Sequence, residues 1–570
     1  MKVIVLGGGV AGMTAAHELI QRDIEVVVYE ARSIPGGKAR SLPVPRSGKR
    51  GRRDLPAEHG FRFFPGFYKH LPDTMKRITV AGKADGVLGH LVPSSQVQLA
   101  LEGRSEIVTP ARFPTNVREL EEAFSSFVRQ ATTLGIPVRD QANFVNVLLT
   151  LLTSCKERRF AEFEHQSWWE FSGAQTRSPA YGKFLADGLT RTLVAAKARE
   201  MSARTGGSIL LQLLFDLAQP GQQVDQVLDG PTNDVWINPW LAHLRSKGVD
   251  YRTEHEVQAI HMAGQSVSHV SILAGGRLME ETADFYVAAV PVEVMRLLAT
   301  DEVKQADPQL ARLNFLRTRW MNGVMFYLDR DVRVVCGHSL YIDSLWALTS
   351  ISQHQFWPDV DFTRLGDGRV EGILSVDVSD WEAQGNNGKQ AMYCSSEEVC
   401  KEVWTQLKRS LNDAGVDVLK DEYLLRAFVD PDIRFPNPPK AATNVEPLLI
   451  NTAGSWENRP EATTAIENLV LASDYVRTNT DLATMEGANE AARRAVNGIL
   501  DRAGSTQPRC SVWPLSEPGL FAPARALDRI LFALHRTPEL PFRATEDGRI
   551  ERSPVVSLGA SVADQLSRLL

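Results

Sequence analysis

Three glycines near the start of the chain have a spacing that suits phosphate binding. Gly7, Gly9 and Gly12 follow an apolar run and precede a segment with helical spacing, and Val10 and Ala11 lie between the last two glycines. In a strand–turn–helix, such glycines permit a tight turn, a close approach of a pyrophosphate to the backbone, and close packing of helix on strand. The N–H groups of the first helical turn then face the phosphates. We therefore predict that residues 7–12 bind the pyrophosphate of a dinucleotide, the alternative being a glycine-rich turn without a ligand.

An acidic residue stands where the ribose of such a ligand would lie. Glu30 ends the second apolar run of the chain, and its carboxylate can accept hydrogen bonds from ribose hydroxyl groups. The same negative charge would repel a 2′-phosphate. We place Glu30 and the adjoining Ala31 in the nucleotide site.

A second glycine pair suits a longer cofactor. Gly36 and Gly37 are followed by the basic side chains of Lys38 and Arg40. Because a long cofactor that runs across the domain needs a further backbone clamp, this segment favours FAD over NAD. The alternative is a solvated basic turn.

The elements that must position these residues follow from the apolar pattern. Val3–Leu6 and Glu25–Tyr29 predict strands, with a helix over Met13–Ile20 between them. A mostly helical pattern fills about 115 to 220. Further strands are predicted at Glu254–Ile260, Val267–Leu273, Phe285–Val290, Gly323–Leu328 and Leu469–Ala472, with helices over Pro239–Lys247 and from Met485.

The recurrence of these pieces predicts a discontinuous α/β fold. At 570 residues the chain is long enough for two or three domains. We expect a Rossmann-like FAD-binding domain, a mixed α+β substrate-binding domain and a C-terminal extension. Their ranges are 1–95, 228–300 and 440–502 for the first, 96–227 and 301–439 for the second, and 503–570 for the third.

The spacing from Gly7 through Glu30 to the Gly36 and Gly37 pair resembles the superfamily of flavin amine oxidases and phytoene desaturases. The glycine pair followed by lysine resembles the plant and cyanobacterial type of phytoene desaturase. Hydroxysqualene dehydroxylases carry a motif related to residues 58–68 of this chain. The resemblance implies FAD as the cofactor.

The segment 58–68 extends this resemblance. It is similar to the E-x-G-x-H-x-F-F-G-x-Y segment of the desaturases, which runs under the flavin ring, so the resemblance implies flavin contacts at Gly60, Phe61 and Arg62. Arg62 stands where the family usually has histidine. We predict that Arg62 faces the reacting region as the candidate catalytic residue, with a structural or flavin-supporting role as the alternative.

Two later segments match the other half of the superfamily's cofactor site. The resemblance implies that the acid at the Asp474 position hydrogen-bonds the ribityl chain, and that the helix beginning at the Met485 position directs its N–H groups at the flavin pyrimidine. A helix N-terminus favours the negative charge of reduced flavin. Val257 resembles the position whose backbone meets the adenine. Taken alone, Asp474 could be a turn acid and Met485 a core residue.

The resemblance leaves more than one activity open. Amine oxidases of the superfamily place a lysine near the flavin N5 and an aromatic residue before the last helix, where this chain has Asn322 and Thr484. We therefore predict a desaturase or dehydrogenase that removes a hydride from a C–H bond of a hydrophobic, isoprenoid or long-chain substrate, with quinone or oxygen as electron acceptor. The alternatives are an amine or amino-acid oxidase that releases imine and hydrogen peroxide, and a flavin-binding scaffold whose redox site has lapsed.

Composition excludes several other classes of protein. The net charge of −6 provides no basic field for nucleic acid. The 5 cysteines are scattered without a CxxC pair, and the 12 histidines include no HExxH pattern, so we expect no metal site and a reducing, cytoplasmic location. The basic run 46–53 and the amphipathic segment Leu527–Leu534 allow peripheral contact with a membrane, although a solvated loop and a packed helix are the alternatives.

Overall fold

The computed structural model describes residues 1–109, 131–188, 196–216, 225–412, 415–436 and 440–552, with side chains except at 104–109 and 214–216. The chain forms two compact units. Unit 1 consists of Met1–Thr109, Gln223–Asn451 and Trp456–Pro514, and unit 2 of Pro110–Gln222, Thr452–Ser455 and Leu515–Leu570. Residues 301–439 thus belong to the same unit as the glycine turns. The predicted division into a cofactor domain and a substrate domain follows other boundaries and stays a prediction about function.

The strands of the described residues are β1 (Lys2–Leu6), β2 (Glu25–Tyr29), β3 (Ser41–Pro43), β4 (Pro56–Glu58), β5 (Leu91–Pro93), β6 (Gln96–Leu101), β7 (Arg104–Thr109), β8 (Gln226–Leu228), β9 (Asp250–Arg252), β10 (His255–Ala263), β11 (Ser266–Ala274), β12 (Arg277–Glu281), β13 (Phe285–Ala288), β14 (Arg317–Arg319), β15 (Asn322–Leu328), β16 (Gly337–Tyr341), β17 (Leu348–Ser352), β18 (Gly372–Val378), β19 (Leu424–Val429), β20 (Ile433–Arg434), β21 (Thr443–Asn444), β22 (Leu448–Ile450), β23 (Leu469–Leu471), β24 (Phe542–Ala544) and β25 (Ile550–Arg552).

The α-helices of the same residues are α1 (Val10–Ile20), α2 (His70–Lys76), α3 (Val138–Thr153), α4 (Lys156–Ala161), α5 (Trp168–Phe171), α6 (Ala203–Asp216), α7 (Asn238–Ser246), α8 (Val292–Leu298), α9 (Asp301–Ala306), α10 (Ser396–Leu411), α11 (Met485–Arg502) and α12 (Ala522–Ala533). Tyr181–Gly188 and Asn233–Ile237 are π-helical. The longer 3-10 segments are Gly86–His90 and Pro308–Phe315.

A five-stranded parallel sheet positions the glycine turn of unit 1. Its strand order is β23-β13-β1-β2-β9, so β1 lies in the middle with β13 on one side and β2 on the other. The side chains from Val3 to Leu6 are fully buried. A strand of a parallel sheet that is covered on both faces requires this continuous apolar run.

Helix α11, although distant in sequence, contacts helices α1 and α2 of this layer. The Asn489 side chain on α11 donates to Thr14 Oγ1 on α1 at 2.9 Å and to Thr74 Oγ1 on α2 at 3.0 Å. The Glu486 carboxylate accepts the backbone N–H groups of Lys69, His70 and Leu71, each at 2.8 Å. This carboxylate satisfies donors at the start of α2 that a helix leaves without intrahelical partners.

A seven-stranded sheet forms the other large layer of unit 1. Its order is β19-β15-β18-β17-β16-β6-β7. One face buries Val324, Phe326 and Val376 against α10, which begins with a capping box formed by Ser395 and Glu398. The opposite face buries Met325 and other apolar residues in a cluster that includes Phe61. The segment that contains Phe61 therefore covers this second face.

In unit 2, a buried ion pair joins helices α4 and α12. The Arg158 guanidinium of α4 donates to the Asp528 carboxylate of α12 at 3.0 Å, and the same carboxylate accepts the Cys155 N–H at 2.8 Å. Among the residues that the structure describes, none of the helices is both long enough and apolar enough to span a bilayer.

Candidate active site

The first glycine turn joins β1 to α1. Gly7 has φ +104°, and a β-carbon there would lie 2.5 Å from the Ala289 carbonyl oxygen. A β-carbon at Gly12 would lie 1.9 Å from the Gly7 carbonyl oxygen, so the helix can approach the turn this closely only with glycine at residue 12. Val10 and Ala11 are buried in the first turn of α1. The turn has the shape and the helix N-terminus that a pyrophosphate requires.

The second glycine turn contacts the first. Gly36 and Gly9 form an isolated parallel bridge, and the Gly36 N–H donates to the Gly8 carbonyl oxygen at 3.3 Å. Gly37 has φ +56°, and a β-carbon there would lie 2.9 Å from the Gly9 α-carbon. The structure therefore brings the two predicted glycine clamps together, and their backbones are in contact without side chains between them.

The basic side chains after the second turn are bound to acidic residues. Lys38 Nζ donates to Glu293 Oε1 at 2.9 Å and to the Pro447 carbonyl oxygen at 2.5 Å. The buried Arg40 guanidinium pairs with Asp432 and Glu446. Burial disfavours the charge of Arg40, but the two carboxylates raise its pKa overall. These contacts hold the second glycine turn in place.

Glu30 lies beside the first turn, as the spacing predicts. Its carboxylate accepts the Gly8 N–H and the Arg32 N–H, both at 2.8 Å, and burial raises its pKa. Ala31 is exposed next to it. The His255 N–H donates to the Glu30 carbonyl oxygen at 2.9 Å, which brings the half-buried Val257 of β10 close to this end of β2.

The segment before Arg62 packs directly on the seven-stranded sheet. The Gly323 N–H of β15 donates to the His59 carbonyl oxygen at 2.9 Å. A β-carbon at Gly60 would lie 2.9 Å from Asp377 Oδ1 of β18. Glycine at residue 60 therefore lets this segment lie against the sheet. Burial raises the pKa of Asp377 to about 7.

Arg62 is a nearly buried cation between carboxyl groups. Its Nε lies 4.0 Å from Glu58 Oε2, and in the described part of the chain neither Nε nor one terminal nitrogen has a hydrogen-bond partner. Burial lowers the pKa of Arg62, while Glu58 and Asp377 oppose that shift. Burial also raises the pKa of Glu58 to about 7, although Thr232 donates to its carboxylate from both backbone and side chain.

A buried ionic network is the feature that the sequence reasoning missed. His59 Nδ1 lies 2.6 Å from Asp430 Oδ2 and 3.3 Å from Asp432 Oδ2, and the three side chains are grouped closely enough to ligate one metal ion. Arg32 and Arg40 also pair with Asp432. Burial opposes the charge of His59, but the carboxylates raise its pKa overall. Asp430 and Asp432, which directly follow strand β19, are the feature of the sequence from which this network could have been predicted.

The C-terminal half of the site lies after β23. The Arg459 guanidinium donates to the Asp474 carbonyl oxygen at 2.7 Å and to the Tyr475 carbonyl oxygen at 3.0 Å, which fixes this turn. The Asp474 carboxylate is partly exposed and accepts the Ser473 hydroxyl at 3.3 Å. The Tyr475 hydroxyl is buried without a hydrogen-bond partner among the described residues. An unsatisfied polar atom beside Asp474 fits a site that a polar cofactor completes.

Met485 begins helix α11, as predicted. Thr484 is its N-cap, and its hydroxyl oxygen accepts the Gly487 N–H at 3.1 Å. Asn322, at the position expected to hold a lysine in amine oxidases, donates to Asp430 Oδ2 at 2.7 Å and accepts from Asn444 at 2.7 Å. Asn322 is therefore part of the ionic network that surrounds His59.

The central parallel sheet and the paired glycine turns are those of a Rossmann-like nucleotide-binding fold. A family model for flavin containing amine oxidoreductases matches residues 10–500. The chain belongs to this family, and FAD is its cofactor.

Curated relatives match the chain over nearly its full length. The zeta-carotene desaturase of Synechocystis sp. is 23% identical over 532 residues, which cover 88% of this chain and 97% of the relative. The 15-cis-phytoene desaturase of Synechococcus elongatus is 21% identical over 526 residues, which cover 90% and 99%. These matches confirm the predicted resemblance.

Solved structures share the fold. Cyclohexylamine oxidase from Brevibacterium oxydans aligns with a TM-score of 0.58 and 15% identity, covering 88% of this chain and 99% of that one. An oxidoreductase from Methanosarcina mazei aligns with a TM-score of 0.56 and 14% identity, covering 88% and 100%. The predicted α/β flavoprotein fold, the cofactor and the enzyme class are thus confirmed, while the roles of single site residues stay predictions.

Proposed function

We propose that the protein is an FAD-dependent desaturase for an isoprenoid or other long-chain hydrophobic substrate. One C–H bond gives up a hydride to the flavin, a base or water removes a proton from the neighbouring carbon, and a double bond forms between the two carbons. The observation that carries this proposal is the similarity to carotenoid desaturases over nearly the whole length of both chains. The bound flavin supplies the hydride acceptor.

In this proposal the chain's own groups hold the cofactor at both ends. Gly9, Gly12 and the first turn of α1 bind the pyrophosphate, and Glu30 binds the adenosine ribose, with Val257 near the adenine. Asp474 binds the ribityl chain, and the N–H groups after Met485 bind the pyrimidine. The crowded backbone at the two glycine turns and the unsatisfied Tyr475 hydroxyl support this assignment.

Gly60, Phe61 and Arg62 would lie beneath the flavin ring. Arg62 would face the reacting region, because it has N–H groups without hydrogen-bond partners in the described residues and lies near the carboxyl groups of Glu58 and Asp377. Its charge would orient the substrate or stabilise negative charge on the reduced ring.

An amine oxidase is the second candidate, since the cyclohexylamine oxidase shares the fold. A putrescine oxidase solved with putrescine bound also aligns, with a TM-score of 0.56 and 15% identity. Against this reading, Asn322 occupies the position expected to hold a lysine, and Thr484 replaces an aromatic wall that would favour a cationic amine.

The proposal also covers the electron acceptor and contact with a membrane. We expect quinone or oxygen to reoxidise the flavin, and peripheral contact with a membrane to deliver the substrate. In unit 2, Leu520, Ile530 and Leu534 are 48%, 59% and 63% exposed on and beside α12, which supports contact with lipid. The basic run 46–53 gives less support, because Arg52 donates to the Thr363 carbonyl oxygen at 2.8 Å and Arg53 pairs with Asp234 at 3.2 Å.

Anaerobic reduction of the bound flavin tests the proposal. The purified holoenzyme would be mixed with carotenoid precursors, other terpenoids, long-chain lipids and amines, and the flavin absorbance at about 450 nm would be followed. Bleaching by an isoprenoid compound, with a new double bond in the recovered product, is expected. Bleaching by amines alone, with peroxide released in air, would establish the second candidate instead.

A further inference from the structure

Four buried polar atoms on the seven-stranded sheet lack hydrogen-bond partners among the described residues. They are Asp377 Oδ1, Ser375 Oγ, Thr349 Oγ1 and His338 Nε2. Each of these residues is at most 6% exposed. Buried polar groups are nearly always hydrogen-bonded, so a set of four on one sheet indicates a missing partner.

The strand register gathers these residues on one face. Thr349 of β17 lies directly opposite Asp377 of β18, and Ser375 lies two residues before Asp377. Ile351 pairs with Ser375 on one side and with His338 of β16 on the other. Because side chains that are paired, or two apart on a strand, share a face, the four polar groups form a patch on one face of three neighbouring strands. Asp377, Ser375 and Thr349 are neighbours in this patch, whereas Ile351 lies between Ser375 and His338.

This patch adjoins the segment proposed to lie beneath the flavin. Asp377 Oδ1 is the atom that a β-carbon at Gly60 would meet at 2.9 Å. The His338 ring lies 5.1 Å from the Phe61 ring and 5.0 Å from the Phe63 ring, measured between centroids. On the same face, Ile351 belongs to the apolar cluster around Phe61. The patch is therefore a polar region on an otherwise apolar face of the seven-stranded sheet.

The chemistry of the four groups favours a neutral oxygen ligand. The hydroxyls of Ser375 and Thr349 can each donate and accept, and Asp377 Oδ1 offers an acceptor. Burial lowers the pKa of His338 to about 3, so this side chain is neutral and adds no positive charge for an anion. Arg62 and His59 already supply positive charge near Asp377, which removes the need for a cationic ligand. A hydroxyl group donates once and accepts twice, so it can donate to Asp377 and accept from Ser375 and Thr349.

We propose that Asp377, Ser375 and Thr349 form a subsite that binds a hydroxyl group on the otherwise hydrophobic substrate, with His338 at its edge. This inference rests on the proposed function and narrows its substrate class to oxygen-bearing long chains. The subsite would anchor one part of an apolar molecule while the C–H bond to be oxidised lies at the flavin.

A pair of probes that differ in one hydroxyl tests the subsite. The holoenzyme would be titrated with geranylgeraniol and with the C20 hydrocarbon of the same chain that lacks the hydroxyl, and the perturbation of the flavin spectrum would give each Kd. We expect the alcohol to bind about tenfold more tightly, the gain that one buried hydrogen bond provides. Equal binding of the two compounds would overturn the proposal and leave the patch as a site for water.

Variants show whether the patch causes the preference. Thr349→Val and Ser375→Ala should each raise the Kd for the alcohol several-fold and leave the Kd for the hydrocarbon unchanged. Ser350→Ala is the matched control, since Ser350 lies on the opposite face of β17, where its hydroxyl bonds Tyr341 at 2.9 Å. FAD content and Tm verify folding. Variants that keep the wild-type preference for the alcohol would overturn the assignment.

These readouts separate the subsite from the proposed function. Binding is measured without turnover, so a preference for the alcohol in an enzyme whose flavin no isoprenoid bleaches would refute only the desaturase activity. Conversely, bleaching by hydrocarbons without any preference for the alcohol would refute only the hydroxyl subsite.

Discussion

Replacing Gly12 with alanine should nearly abolish FAD binding. The new β-carbon would lie 1.9 Å from the Gly7 carbonyl oxygen, whereas such contacts are essentially never shorter than 3.0 Å, so helix α1 and the turn must separate by about 1.1 Å. That displacement would remove the first-turn N–H groups from the phosphates. Because a hydrogen bond to a charged group contributes about 1.5–3 kcal/mol, losing two would weaken binding by about 3–6 kcal/mol, or roughly 10²- to 10⁴-fold.

The assay is a comparison of cofactor content and affinity. The FAD-to-protein ratio of each purified protein would be read from its absorbance, and the Kd would come from titrating apoprotein with FAD while following flavin fluorescence. Gly519→Ala is the matched control, because no described atom lies within 4 Å of a β-carbon there and the residue lacks a left-handed φ. A Gly12→Ala protein that binds FAD within about threefold of the control would refute the reasoning, since the lost hydrogen bonds require far more.

Three further results are expected. Asp474→Ala should weaken FAD binding about tenfold to a hundredfold through the loss of a charged hydrogen bond, while the surface variant Asp367→Ala should bind FAD normally; full occupancy in Asp474→Ala would contradict the C-terminal assignment. Asp377 keeps its proton in the folded apoprotein up to about pH 7, whereas its ordinary pKa is 3.8, so the free energy of unfolding should fall as pH rises through that window. Asp377→Asn should make the free energy of unfolding from urea titrations less pH-dependent, although Glu58, whose pKa burial also raises to about 7, would retain part of the slope; an unchanged slope would count against the burial of Asp377. Glu486→Gln should lower stability by about 1–3 kcal/mol in urea unfolding, because a neutral amide replaces the carboxylate that caps α2; an unchanged midpoint would show that the charge is dispensable.

The elements around the cofactor follow from short stretches of sequence. Glu25–Tyr29 is a strand with the predicted bounds, and Met485 begins a helix where the motif places it. These elements were predictable because a strand buried on both faces is apolar throughout and because a glycine turn has local steric requirements.

Long-range ionic contacts were not predictable in this way. The sequence predicts that Lys38 and Arg40 belong to the cofactor site, but it does not indicate the carboxylates with which both side chains pair more than 250 residues later in the chain. Strand β9 contributes only Asp250–Arg252 to the parallel sheet, a span too short and polar to give a pattern. The alternation of side chains along β18 puts Asp377 on the face toward Gly60. This placement can be inferred only when the strands that neighbour β18 are known.

The sheet order also determines when the protein can acquire its flavin. Strand β23 and helix α11 are translated more than 400 residues after β1 and α1, with which they complete the nucleotide-binding layer. At about 5–20 residues per second, a ribosome needs roughly half a minute to a minute and a half to make the intervening chain. During that time the sheet beside the first glycine turn lacks strand β23. In the proposed site, Asp474 and the N–H groups after Met485 bind FAD. We therefore expect FAD to load late in biosynthesis, and a nascent chain released before residue 485 to leave the ribosome without its cofactor.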